Sequence, residues 1–217
     1  MEKLYKATDG DSTCRGYQYI PGELYVMEPG SIEICSRGFH ACRELRNVLQ
    51  YYPFPKEIWE VEGNVVSEQG NKVVCDQIRL VRLITDEALT ALAEDEEWRV
   101  RRIAARNINT PPETLTMLAE DEDIDVRWAV VENIKTPSEA LTILAGDEDE
   151  DVRNAVAENT NTPPEVLVIL AGDKEWTVRS AVAWNINTPL EILIILTKDG
   201  DWTVRSAAAE TLKDKKD

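Results

Sequence analysis

Residues 152–165 read VRNAVAENTNTPPE, and this stretch decides the fold. Its Val-Arg pair returns every 26 residues, at Val100-Arg101, Val126-Arg127, Val152-Arg153, Val178-Arg179 and Val204-Arg205. Thr-Pro returns in phase at Thr110-Pro111, Thr136-Pro137, Thr162-Pro163 and Thr188-Pro189. So does a leucine pair: Leu89/Leu92, Leu115/Leu118, Leu141/Leu144, Leu167/Leu170 and Leu193/Leu196. Five units in register without an insertion are the signature of a stacked repeat array.

Each unit reads as two short helices. The first is predicted to open with Thr at N-cap, Pro at N1 and Glu at N3, as in Thr110-Pro111-Pro112-Glu113. Proline suits N1 because the N–H it lacks would be orphaned there. Threonine and glutamate are expected to cap reciprocally at Thr110/Glu113, Thr136/Glu139, Thr162/Glu165 and Thr188/Glu191. The second helix follows an acidic turn and runs to the asparagine before the next Thr-Pro, with an aspartate as its cap. Such a unit cannot bury its apolar face alone, so neighbours stack into a solenoid.

Asp-x4-Val-Arg, as from Asp121 to Arg127, resembles the HEAT-repeat pattern. The fuller unit, Val152 to Asn159 followed by Thr162 to Glu165, resembles the leucine-rich repeat variant family of bacteria. The resemblance covers residues 85–212. It implies a right-handed superhelix of short helices whose second helices line the concave side. It also implies a ladder between units, formed by Asp95, Asp121, Asp147, Asp173 and Asp199 with Arg101, Arg127, Arg153, Arg179 and Arg205. Those ten residues are therefore expected to be structural. Arrays of this kind serve many partners, so the fold alone does not give the function.

The first 84 residues have a different grammar. All six tyrosines, both phenylalanines and seven of the ten glycines lie before Thr85. The expected domains are therefore 1–84, a small, mostly β domain, and 85–217, a helical repeat domain. The overall class is α+β. Strands are predicted at Tyr17–Ile20, Leu24–Met27, Ile32–Ile34, Ile58–Glu62, Val73–Cys75 and Ile78–Val81, with turns at Pro21-Gly22, Pro29-Gly30 and Gly70-Asn71. One helix is expected over Ala41–Tyr51.

Charge separates the two regions further. The net charge is −17. Residues 1–84 hold 10 Lys+Arg against 12 Asp+Glu, a net of −2; residues 85–217 hold 14 against 29, a net of −15. An array this acidic repels phosphate backbones and attracts basic proteins. Direct nucleic-acid binding, and a repair enzyme with a basic groove, are disfavoured. No apolar run is long enough to span a bilayer and Met1-Glu2-Lys3 opens no signal-peptide pattern, so the expected compartment is the cytoplasm of a bacterial host.

The repeats serve as their own comparison. On the second helix, Val100, Ile103, Ala104 and Asn107 and their equivalents define the buried side. Almost opposite runs the stripe 98, 102, 106. It reads Trp98, Arg102, Arg106; then Ile124, Trp128, Glu132; then Glu150, Asn154, Glu158; then Trp176, Ser180, Trp184; then Trp202, Ser206, Glu210. A core position does not accept both Trp and Glu, so these tryptophans are expected to be at least partly exposed. Exposed Trp beside charge has the composition of a binding hot spot. The alternative is that each Trp lies flat on a neighbouring unit and closes the array. A second candidate surface is the acidic turns: Glu94, Glu96, Glu97, Glu120, Glu122 and Asp123. Such a ridge suits a basic partner, although solvation alone also explains charge runs. No calcium-loop motif is present.

The remaining constellation is Cys14, Cys35, His40, Cys42 and Cys75. It lacks the Cys-x2-Cys knuckle of a strong zinc signal, so free thiols are expected, and neither a metal nor a cofactor. His40 is the only histidine, so any Cys/His nucleophile pair must use it. The runs Cys14 to Tyr19, Cys35 to Cys42 and Tyr51-Tyr52-Pro53 resemble an uncharacterised domain of bacterial and phage proteins, over residues 4–82. That resemblance implies a bacterial, phage or prophage origin. The expected function is non-catalytic: an acidic repeat protein binding a partner protein, with a phage-encoded inhibitor of a host-defence or nucleic-acid-binding protein as its specific form. The alternative is an enzyme centred on the N-terminal domain, with Arg15, Arg37 and His40 near a pocket and the solenoid as a substrate platform.

Overall fold

The computed structural model describes residues 1–10, 12–14, 17–27, 39–52 and 55–215. They form two compact units, 1–111 and 112–217. A mostly β N-terminal region is followed by repeated helices, an α+β architecture.

In the first unit the strands are β1 (Glu2–Thr8), β2 (Thr13–Cys14), β3 (Tyr17–Gln18), β4 (Leu24–Val26), β5 (Phe39–Cys42), β6 (Glu57–Gln69) and β7 (Lys72–Leu83). Helix α1 (Leu45–Tyr51) lies between β5 and β6, and α2 (Thr85–Ala93) and α3 (Trp98–Arg106) follow β7. The main sheet runs β4-β7-β5-β1-β6, and β6 pairs with β7 as well, so four strands close on themselves. All pairings are antiparallel, with Leu4 opposite Val61 and Phe39 opposite Cys75. The long β6–β7 hairpin turns at Gly70, whose φ of +58° suits a residue without Cβ.

Alternation along β1 separates two apolar layers. Leu4 joins Phe39, Trp59, Val61, Cys75 and Ile78 in the larger core. Ala7 packs with Cys42 and Val48 in a smaller layer, against Tyr5 and Tyr52. Gly63 marks a close approach of backbone: a Cβ there would lie 2.6 Å from Cys75 Sγ and 2.8 Å from Leu4 Cδ1. Gly63→Ala is therefore expected to destabilise the unit by about 1–3 kcal/mol through overpacking. An unchanged urea midpoint would show that the sheet yields at this point.

Three sequence expectations are corrected here. Residues 41 and 42 belong to strand β5, so the helix begins at Leu45 instead of Ala41. Strand β1 was not anticipated, because Glu2 and Lys3 hide its alternation. The separate short strands proposed between 58 and 81 are two long ones. The strand predicted at Ile32–Ile34 lies outside the described residues.

The second unit contains α4 (Pro112–Leu118), α5 (Ile124–Glu132), α6 (Ser138–Leu144), α7 (Glu150–Glu158), α8 (Pro164–Leu170), α9 (Trp176–Trp184), α10 (Leu190–Leu196) and α11 (Trp202–Asp214). The leucine pairs and the repeated valines are the core: Leu141, Leu167, Leu193, Val126, Val152, Val178 and Val204 are fully buried. Each such side chain contributes roughly 1.5–3 kcal/mol of burial. Asp123, Asp149 and Asp201 cap the second helices by accepting backbone N–H groups, as the turns predict.

Threonine does something other than capping. Thr162 and Thr188 are fully buried, and their hydroxyls donate to Val156 O at 2.6 Å and Val182 O at 2.5 Å. Thr136 donates likewise to Val130 O, and in the first unit Thr110 donates to Ala104 O. The hydroxyl thus satisfies an orphaned carbonyl at the end of the preceding second helix, and the proline occupies the cap. The predicted Thr–Glu capping box does not form.

Two ladders hold neighbouring repeats. Arg127, Arg153 and Arg179 grip Asp147, Asp173 and Asp199 of the next repeat through paired bonds of 2.6–3.1 Å. The same guanidinium groups also bond two carbonyls of their own turn, as Arg153 does with Asp147 O and Glu148 O. The second ladder is amide to backbone. Asn159 Nδ2 donates to Val131 O at 2.8 Å and Asn185 Nδ2 to Ala157 O at 2.7 Å. Asn161 and Asn187 reach back similarly to Ile134 O and Thr160 O.

In the first unit the β domain supplies the missing half of both ladders. Arg46, in the first turn of α1, stands 3.1 Å from Asp95. Asn107 donates to Pro55 O at 3.0 Å and Asn109 to Lys56 O at 2.9 Å. The sheet domain presents to α2 and α3 the same donors and acceptors that a preceding repeat would present.

Candidate interaction face

The second helices place the 98/102/106 stripe away from the core, because positions i, i+4 and i+8 stay on one side of a helix. In the second unit Trp176, Trp184 and Trp202 are 46%, 53% and 69% exposed. Trp176 and Trp184 stand at the two ends of α9, two turns or about 12 Å apart. Trp202 occupies on α11 the position that Trp176 occupies on α9, and the two helices pack together. Small Ser180 and Ser206 lie at the middle position, and Ser180 is buried at 8% exposure. Glu158 and Glu210, both exposed, border the tryptophans on α7 and α11. The product is a shallow aromatic surface edged with carboxylates. Trp128 on α5 is half-buried.

In the first unit Trp98 and Arg102 are half-buried on α3. The Arg99 guanidinium lies 4.7 Å from the Trp98 ring centroid, so part of that face is covered from within. The acidic turns are also divided. Glu94, Glu96, Glu120 and Glu122 are exposed. Glu97 pairs with Arg99 at 3.0 Å, and Glu96 lies 3.7 Å from Arg46. Asp123 is the α5 cap, which accounts for it without a partner.

Electrostatics in the ladder follow its geometry. Burial alone would raise the Asp173 carboxyl, but the Arg153 hydrogen bonds and the Glu175 N–H outweigh it and hold the group below its ordinary range. Hydrogen bonding from Arg179 holds Asp199 low against the opposing effect of burial. Bonds to the aspartates raise Arg153 and Arg179 in turn.

A second exposed surface escaped the sequence reading. On α8 and α10, Val168, Ile169, Leu190, Ile194 and Ile195 are 47–62% exposed. The signal was available: the pairs at 116/117, 142/143, 168/169 and 194/195 run Thr-Met, Thr-Ile, Val-Ile and Ile-Ile. The first helices become more apolar outward as the chain proceeds.

Of the thiol and imidazole candidates, Cys14 Sγ lies 3.3 Å from Tyr52 Oη, and Cys14, Cys42 and Cys75 are buried free thiols. Burial pushes the Cys42 thiol up to about 11 and the Cys75 thiol up to about 12, so neither is a thiolate nucleophile near neutral pH. His40 lies half-buried on β5. Among the described residues no three His, Cys, Asp or Glu side chains are placed to share a metal ion. Cys35, Arg15 and Arg37 lie outside those residues. No helix among them is long and apolar enough to cross a membrane.

Residues 98–123 and 150–175 match the family model described as leucine rich repeat variant. Residues 2–92 match a domain of unknown function, DUF7666. No match was found among curated proteins. Among solved structures, the chain is similar to one described as a leucine-rich repeat variant with a novel repetitive protein structural motif: 31% identity, TM-score 0.33, covering 58% of this chain and 60% of that one. It is similar also to the S. pombe condensin Cnd3–Cnd2 subcomplex, at 20% identity and TM-score 0.45, over 58% of this chain and 21% of that one. The chain thus spans three-fifths of the repeat-variant protein and about a fifth of the condensin chain.

Proposed function

We propose that this chain is a non-catalytic binding protein whose repeat domain, residues 85–217, takes a partner protein on its second-helix face, with residues 1–84 as a distinct α+β domain. The carrying observation is the exposure of Trp176, Trp184 and Trp202 at positions where sibling repeats hold glutamate. Packing does not require an aromatic there, since Glu150 and Glu158 serve the same positions. Contiguous exposed aromatics mark contact sites on proteins in water. Trp128 extends the stripe within that unit; Trp98 and Arg102 offer the same chemistry on α3.

The carboxylate border favours a basic partner and disfavours nucleic acid. Glu94, Glu96, Glu97, Glu120, Glu122 and Asp123 add to that charge. The finer reading is an inhibitor of phage or prophage origin, acting in the bacterial cytoplasm on a host-defence or nucleic-acid-binding protein. It rests on the acidity of the array and on the likeness of residues 4–82 to bacterial and phage domains.

The test is affinity capture from bacterial lysate with the full chain and with the Trp176→Ala/Trp184→Ala variant, read by mass spectrometry and then by titration of the purified partner. Each truncation is expected to weaken binding by about 2 kcal/mol or more. The variant should keep its helical circular dichroism, because both side chains are about half in solvent. A partner bound equally by both proteins would refute the tryptophan face. A partner whose affinity ignores salt and charge reversal at Glu94, Glu96, Glu120 and Glu122 would refute the acidic contribution.

A further inference from the structure

We infer that the outward face of α10 is a contact between two copies of this chain, related by a two-fold axis that crosses the helix midway between Ile194 and Ile195. Comparison with the sibling helices sets α10 apart. Leu190 stands where α4, α6 and α8 hold Pro112, Ser138 and Pro164, and Ile194 where they hold Thr116, Thr142 and Val168. Lys198 replaces Glu120, Gly146 and Gly172. The repeat does not need these side chains for its own core. Leu193 and Leu196 fill it at 0% and 2% exposure, whereas Ile194 and Ile195 are 53% and 62% exposed. Thr142 serves the Ile194 position in α6 and is exposed there. Contiguous apolar surface edged by charge marks a contact site.

The two ends of the patch indicate what covers it. Glu191 and Lys198 are exposed on the same side of α10 as the isoleucines. They lie two turns apart, about 10 Å along the axis, beyond the i, i+4 spacing at which a helix pairs its own charges. Among the described residues neither is ion-paired. In an antiparallel pair of α10 helices, the two-fold axis sets Glu191 beside Lys198 of the second copy and Lys198 beside its Glu191. Ile194 and Ile195 then meet their counterparts between these charges. One helix thus supplies both halves of the match, as an isologous interface requires. Val168 and Ile169, one repeat back on α8, are 47% and 62% exposed and extend the apolar strip. A bilayer fits less well, because anionic headgroups would meet the Glu191 carboxylate within the patch and an acidic array around it.

The test is sedimentation equilibrium of the full chain at about 0.15 M salt, where charges more than about 8 Å apart are largely screened. Two short helices per copy bury less than the ~800 Å² per partner of a standard interface, so a dimer with Kd of about 1–100 μM is expected. Ile195→Glu should weaken it at least about tenfold, and so should Lys198→Glu or Glu191→Lys alone. The double variant Glu191→Lys/Lys198→Glu should restore the dimer, because the swap returns opposite charges to both pairings. Trp176→Ala/Trp184→Ala should dimerise like the wild type, which separates this contact from the second-helix face. A chain that stays monomeric at about 500 μM overturns the inference. Flotation with phosphatidylglycerol vesicles, lost in Ile195→Glu, would then name a bilayer as the occupant instead. A folded Ile195→Glu variant that dimerises like the wild type overturns it too, as does a charge swap that stays as weak as the single reversals. Should Ile195→Glu not fold, the charge series at the two exposed positions decides alone.

Discussion

Arg153→Ala is expected to destabilise residues 112–217 by about 3–5 kcal/mol, the cost of breaking a buried ion pair at one partner. Arg153 is 6% exposed and closes four bonds: two to Asp173 and one each to Asp147 O and Glu148 O. Its removal leaves the Asp173 carboxylate, 7% exposed, with no opposite charge in contact. The damage should propagate, because repeat arrays are held by nearest-neighbour interfaces. Urea denaturation followed by circular dichroism measures it. A loss under about 1 kcal/mol would place the pair with ordinary surface ion pairs.

The same variant has a pH signature. In the wild type Asp173 and Asp199 are held below the usual carboxylate range. Their contribution is therefore present above that range and is lost as pH falls through the depressed folded values. In Arg153→Ala, burial acts on Asp173 without that opposing bond, and its carboxyl rises. Acid unfolding of the variant should begin at a higher pH than in the wild type.

Asn185→Ala should cost about 2–4 kcal/mol, since it leaves buried backbone groups without partners. The side chain is 6% exposed. Its Nδ2 donates to Ala157 O at 2.7 Å and Asn159 O at 3.0 Å, and its Oδ1 accepts from Asn187 N at 2.9 Å. One amide thus ends its own helix, shapes its own turn and ties the preceding repeat. Asn185→Asp tests the direction of the bonds, because a carboxylate facing two carbonyls repels where the amide attracted. Hydrogen exchange at Asn187 should quicken in Asn185→Ala, whereas Asn185→Asp keeps an oxygen that accepts that N–H. A midpoint within about 0.5 kcal/mol of the wild type would place Asn185 with neutral surface positions.

These asparagines show what the sequence made legible and what it did not. Their 26-residue recurrence was plain, and so was the helical side on which Asn107 falls. Their bonding was not, because the partners are backbone carbonyls of the preceding repeat, which have no side-chain signature. The aspartate–arginine ladder was expected from the resemblance to HEAT-like repeats, and both of its partners are recurring side chains. Threonine was misread for a related reason. Thr-Pro-x-Glu fits a capping box locally, but a hydroxyl fully buried among stacked helices is bound by the carbonyl it touches. In the β region, Gly70-Asn71 gave the hairpin correctly, whereas Phe39–Cys42 fell within or beside a predicted helix. A four-residue strand is fixed by its neighbours β1 and β7, which lie far away in sequence. The tryptophan face was legible through the repeats themselves, since Glu and Trp exchange at one position. The outward isoleucines of α8 and α10 could have been found by the same comparison.

Arg46 and the carbonyls of Pro55 and Lys56 carry a consequence for the order of events in synthesis. Domains generally fold as units while the chain emerges from its N-terminal end. The sheet domain precedes the array, and it already holds the arginine and the acceptor pair against which α2 and α3 dock. The first helical pair therefore has a finished mould to settle on. Within residues 112–217 each pair, once settled, offers the next one the same contacts. For α2 and α3, register is chosen by the sheet domain.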